Sequence, residues 1–214
     1  MKKLFIVLMG VFAWGFNQYG YAQANEGSVE FEKADRPAVI GEFAYTTDVV
    51  EEAVIADLKE KGIKKYSTKK GFMIFEEALF TQISANKINF YVKVEEKKKE
   101  KEKTILTFLV SYGLDNFISS TMDAAIINNT KNYMNSLAPK FAATKLGKDI
   151  DAQQKVYDKA VKEYENLVGE GESLAKKKAE IEENIVKNKQ EQEAQKALMA
   201  KEKANLELLQ GQRK

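Results

Sequence analysis

Two segments decide the fold: KINFYVKVE at residues 87–95 and TILTFLVSY at residues 104–112. In the first, Ile88, Phe90, Val92 and Val94 alternate with Asn89, Tyr91 and Lys93. A period of two puts each set on its own face of a strand. In the second, Leu106, Phe108, Val110 and Tyr112 share a face, and Gly113 closes the segment. The link between them, KKKEKEK at 97–103, reads as a charged, solvated turn. Together they predict an antiparallel hairpin.

Working upstream, AVIGEFAY at 38–45 reads as a strand. Thr47 and Asp48 then offer N-cap oxygens, with Glu51 in capping-box position. Val50, Val54 and Leu58 recur at i, i+4 and i+8 as one narrow helical stripe, flanked by Asp57. Lys61-Gly62 ends that helix. GFMIFEEALF at 71–80 reads as extended, with a bend or bulge at Glu76-Glu77. Downstream, Ser120 and Asp123 are placed to cap a second helix. Its buried stripe is Met122, Ile126, Tyr133 and Leu137, with Ile118 leading in and Pro139 stopping it. The order β-α-β-β-β-α predicts an α+β domain over 38–145, a small antiparallel sheet with helices on one face. A segment of this size buries its own core. Residues 25–37 are polar and are expected to be a flexible lead-in.

After Lys145 the chain turns to Lys, Glu, Gln and Ala with sparse Leu and Ile. Residues 146–214 read as a helical, coiled-coil tail. Starting at Leu146, alternating steps of four and three pass through Tyr157, Tyr164, Leu167, Leu174, Ile181, Ile185, Met199, Leu206 and Leu209. This is the a/d seam of a heptad repeat, and these nine residues are the candidate interaction face. The seam also meets Lys178, Asn188, Gln192, Gln195 and Glu202, so it is incomplete. A Lys/Glu/Gln helix with a thin stripe is marginal in water until that stripe is covered. Gly169 and Gly171 each cost about 1 kcal/mol inside a helix. They favour a turn at 169–173, giving an αα-hairpin or a sharp kink, over one long weakened helix.

The N-terminus has an address of its own. Lys2 and Lys3 precede an apolar run from Leu4 to Phe16, and Ala22-Gln23-Ala24 follows. That is the layout of a secretory signal peptide, expected to occupy residues 1–24 with cleavage after Ala24. The run is shorter than the roughly 20 apolar residues a bilayer requires. No second long apolar segment and no lipobox cysteine follow it. The expectation is therefore an exported protein, periplasmic, envelope-associated or secreted, with no transmembrane span in the mature chain and no lipid anchor.

Composition narrows the chemistry. The precursor carries 34 Lys plus Arg against 32 Asp plus Glu. Losing Lys2 and Lys3 leaves the mature chain neutral, which argues against a nucleic-acid partner. There is no His and no Cys, which removes Ser-His-Asp triads, cysteine nucleophiles, imidazole or thiolate zinc sites and disulfides. Ser-x-x-Lys occurs at Ser67/Lys70, Ser84/Lys87 and Ser173/Lys176. In a Lys-rich chain such matches arise by chance, and the companion motifs of Ser-Lys acyl-enzymes are missing. Adjacent acids at Glu51-Glu52, Glu76-Glu77 and Glu95-Glu96 read as solvated surface. On a strand such neighbours point to opposite faces. Neither a catalytic site nor a cofactor or metal site is expected.

The strand YVKVEE at 91–96, the charged turn at 97–103, the return strand to Gly113 and the helix start at Ser119-Ser120 carry a resemblance. Over Phe43 to Ser120 the chain resembles an uncharacterised group of exported bacterial proteins, in which a small α+β domain precedes a Lys/Glu-rich coiled-coil tail. The resemblance implies that layout and brings no activity or functional residue.

The reading that follows is a non-catalytic envelope protein. It would act through protein–protein interaction, or through self-association, of its helical tail. Two alternatives stand beside it. One is a small-molecule or lipid-binding module with a groove lined by Phe90, Tyr91, Phe108 or Tyr112. The other is a periplasmic holdase.

Overall fold

A computed structural model describes residues 23–113 and 115–212. Most of the expected leader, residues 1–22, lies outside them. The chain divides into two compact units between Asp149 and Ile150.

The first unit is the expected α+β layer. Its strands are β1 (Asn25–Phe31), β2 (Ala34–Phe43), β3 (Ser67–Lys69), β4 (Phe72–Ala78), β5 (Ile88–Lys97) and β6 (Glu100–Ser111). They form one antiparallel sheet in the order β1-β2-β6-β5-β4-β3. Helix α1 (Thr47–Glu60) follows β2, and α2 (Ala124–Ser136) follows β6. The expected central hairpin is present, with Phe90 opposite Val110 and Val92 opposite Phe108. Its turn is shorter than anticipated: Lys97 pairs with Glu100, so only Lys98 and Lys99 turn the chain. Lys99 takes the left-handed conformation at φ 69°. The strands run on through the charged run because Glu100 lies between Lys97 at 2.9 Å and Lys103, which hold its carboxyl down at about 2.

The polar segment 25–37 is not a flexible lead-in. It forms β1, the turn and the start of β2, paired from Asn25 with Ile40 to Phe31 with Ala34. Glu32 and Lys33 turn it at φ 53° and 64°. A two-residue turn of this mirror-image type matches strand twist and normally recruits Asn-Gly. Pro37 is tolerated because β2 pairs with β6 only from Val39 onward. At Pro37 one side of the strand has no neighbour that needs an N–H.

Alternation places two apolar layers on the sheet. The buried apolar residues of α1 and α2 all fall in the larger one. Val50, Val54 and Leu58 of α1, and Ile126, Ile127 and Met134 of α2, pack on Phe90, Val92, Leu106 and Phe108. The opposite face carries Phe31, Phe72, Tyr91, Leu109 and Phe117. The Phe31 and Phe72 rings lie 5.2 Å apart, although four strand spacings separate β1 from β4. On a flat sheet that is about 19 Å. The sheet therefore curls toward this face, and Glu32 in the β1–β2 turn pairs with Lys69 of β3. The Glu76-Glu77 bulge is also present: register shifts between Phe75 and Ala78, with Glu77 at φ 47°.

Details of capping differ from expectation. The N-cap of α1 is Thr46, without a side-chain cap bond, because Thr46 Oγ1 donates to Asp48 instead. Asp123 alone caps α2, its Oδ1 accepting from the Ala125 and Ile126 N–H groups, both at 3.1 Å. Met122 precedes that helix and is exposed. Pro139 does not end the helical region. Leu137 links α2 to α3 (Ala138–Gly211), and Pro139 sits in the first turn of α3, where no N–H is required.

Helix α3 runs through 169–173, so there is no αα-hairpin and no turn at these glycines. A side chain on Gly169 or Gly171 would meet nothing within 4 Å, so the glycines weaken the helix without serving a contact. Replacing both with alanine is expected to stabilise this part of α3 by about 2 kcal/mol. Thermal melts followed by circular dichroism at 222 nm should show the tail melting later in the double variant. An unchanged or reduced helical signal would mean the chain bends there.

Candidate interaction surface

Residues 150–211 lie wholly within α3 and would extend about 90 Å at 1.5 Å per residue. The nine seam residues Tyr157, Tyr164, Leu167, Leu174, Ile181, Ile185, Met199, Leu206 and Leu209 are 49–69% exposed. An unbroken helix holds them at a and d positions of one heptad register, spaced by three, four, seven or fourteen residues. Val156 and Val168 lie beside it and are exposed as well. Local support is modest. Gln154 donates to Asp158 at 2.8 Å and Gln192 to Asn188 at 2.6 Å. Lys178 and Lys203 reach Glu182 and Glu207 at 3.7 and 4.0 Å. Such pairs contribute about 0.2–0.5 kcal/mol each.

The first unit contains a buried polar cluster around Asp57, whose one sign in the sequence is a break in the α1 stripe. Asp57 is 1% exposed. Its Oδ1 lies 2.8 Å from Lys61 Nζ and 2.6 Å from Lys140 Nζ, and its Oδ2 accepts from the Tyr133 hydroxyl at 2.9 Å. The cluster ties α1, α2 and the start of α3 together. Burial pushes the Asp57 carboxyl up, but Lys140, Lys61 and Tyr133 outweigh it and hold the group below its ordinary 3.8. Burial and the Asp57 charge push the Tyr133 hydroxyl far above its ordinary value. Both carboxylate oxygens are engaged by side chains of this cluster.

The other candidates are dispersed. Lys87 pairs with Glu77, while Ser84 Oγ accepts from the Asn86 N–H. Ser67 lies on exposed β3, and Ser173 and Lys176 lie on the exposed tail. Glu52 and Asp48 bind Lys148 at 2.8 and 2.9 Å, and Lys93 binds Glu95 at 2.8 Å. Among the described residues, no three carboxylates converge as a metal site would require. The residues expected to line a groove are packed. Phe90 and Phe108 are fully buried, with ring centroids 4.9 Å apart, and Tyr133 stacks on Phe108 at 5.7 Å. Tyr91 belongs to the aromatic layer on the opposite face. Tyr112 is exposed and donates to Asp123 at 3.0 Å. No helix among the described residues is long and apolar enough to cross a membrane.

Compared with protein-family models, curated proteins and solved structures, the chain shows no significant match.

Removing the Asp57 carboxylate leaves the buried Tyr133 hydroxyl without its acceptor, while Lys61 and Lys140 still reach solvent and Lys140 keeps Glu60 at 2.8 Å, so Asp57→Ala should destabilise the first unit by about 1–3 kcal/mol. The folded carboxyl sits below its unfolded value. Its contribution is therefore present above about pH 4 and is lost as pH falls through the folded value. Urea unfolding of the wild type should show midpoints falling below pH 4. The Asp57→Ala midpoint should be lower at neutral pH and its fall below pH 4 shallower, because Asp48, Glu100 and Asp123 keep their own lowered carboxyls.

Proposed function

We propose that this is a non-catalytic exported protein, periplasmic or envelope-associated. A folded α+β head carries a helical tail that works by pairing with another helix, its own or that of a protein partner. The observation that carries this reading is the uncovered seam: nine large apolar side chains in heptad register on one unbroken helix. An exposed stripe of this kind marks an interaction surface rather than ordinary surface. Half-covering nine such side chains is worth about 10 kcal/mol per helix, comparable with the 4–15 kcal/mol that association costs. A seam pairing therefore lies within reach, and the helix is marginal without one. The leader layout supports export. The neutral mature charge and the absence of His and Cys support the non-catalytic part.

The test is a double substitution, Leu174→Glu with Ile181→Glu, in the whole chain. Light scattering and circular dichroism should show loss of the associated species and of much of the tail's helical signal. The near-ultraviolet spectrum of the head should not change. If wild type and variant are the same size and equally helical, the tail does not act by pairing.

A further inference from the structure

We propose that the seam's occupant is a second copy of this chain, parallel and in register. This rests on the reading of the tail as an association surface and names its partner. The argument starts from charge. With Ile150 at position a, the flanking g and e positions of successive heptads meet across a parallel pair. Lys177 then faces Glu182 of the other copy, and Glu191 faces Lys196. No g–e′ contact between 150 and 210 brings like charges together.

The polar layers point the same way. Asn188, Gln192 and Gln195 interrupt the seam over three successive layers. Carboxamides donate and accept, so each can bond its own copy, and only a parallel, in-register pair sets all three against themselves. The antiparallel arrangement that matches these layers centres on residue 190. It brings Lys189 against Lys189 and Glu191 against Glu191 at the axis, and sets Gln195 against Ile185. Two layers count against the parallel pair, Lys178 and Glu202, each beside its own copy. The long Lys178 stem carries its ammonium outward, and Glu202 adjoins Lys203 of the other copy. Among the aliphatic seam positions, Ile150 and Ile185 at a with Leu167, Leu174 and Leu209 at d follow the two-stranded preference, and Leu206 at a with Ile181 at d do not.

The chain has no cysteine, so single-cysteine variants read register directly. Leu174→Cys and Leu209→Cys, at d positions far apart, should each convert most of the whole chain to a disulfide-linked dimer under mild oxidation. Lys176→Cys, on the outer face, should not. Linking of Leu174→Cys to Leu206→Cys, with neither linking to itself, would make the pair antiparallel and overturn this proposal. A monomer with a helical tail would overturn it while leaving a different protein as the tail's partner. A monomer with an unfolded tail would overturn both.

A second inference comes from a different place. Ala24 is 4% exposed within the main core, and its backbone N–H donates to Asn135 Oδ1 of α2 at 3.0 Å. Cleavage after Ala24 would remove a residue the fold uses. Gly20 and Ala22 supply the small residues that a cut between Ala22 and Gln23 requires. We infer that the leader is removed there. Intact mass measurement of the exported protein should give a chain beginning at Gln23, cyclised or not. A chain made to begin at Asn25 should melt several degrees lower. Exported protein beginning at Asn25, with the same melting temperature, would overturn the inference. A precursor that is never exported would overturn it together with the export reading.

Discussion

Tyr133 stacks its ring on Phe108 of the central strand and donates a hydrogen bond from its hydroxyl to Asp57 of α1. One side chain thereby spans the boundary between sheet and helices. The same ring meets Phe80 edge-on at 4.7 Å, so the chain leaving β4 is held as well. Asp57 completes the arrangement by drawing in Lys140 at the start of α3. A buried carboxylate without these partners would cost several kcal/mol. With them it fixes where three helices stand relative to one another within the head. The apolar layer provides the driving force, and the polar cluster selects one packing from among those the layer would tolerate.

The strands that alternate strongly in sequence are the ones that lie at the centre of the sheet. Lys87 to Glu95 and Thr104 to Tyr112 could be read because each has one face turned to the helices, and burial enforces a strict period of two. The edge was harder. β1 carries few apolar residues, and its turn uses Glu32-Lys33 in place of the Asn-Gly such turns prefer. Neither the strand nor its hairpin announces itself locally. What holds β1 is remote: Phe31 enters an aromatic cluster with Phe72, Tyr91 and Phe117, contacts that exist only once the sheet has curled. Asp57 is equally opaque, because only Lys61 is a local partner and the other two lie 76 and 83 positions further along the chain.

The seam is the opposite case. A heptad repeat is a local pattern, and the residues read from it occupy one ridge of a real helix. The glycines misled because a helix-interior glycine is costly and a turn would have relieved that cost. Helix on both sides of Gly169 and Gly171 outweighs about 2 kcal/mol of intrinsic preference.

The two halves thus solve the same problem differently. The head covers its apolar faces with its own helices and with the curl of its sheet. Every strongly shifted ionisable group described in it is engaged by a hydrogen bond or ion pair within the chain. The tail presents a seam of nearly uniform exposure from Tyr157 to Leu209, with nothing in its own unit to lie against it. The polar layers at Asn188, Gln192 and Gln195 limit which helix can. An apolar partner would bury these carboxamides without hydrogen bonds, at about 1–3 kcal/mol for each unsatisfied group. A helix with matching polar layers avoids that penalty. In the proposed pairing, the same residues that weaken the seam would give it selectivity.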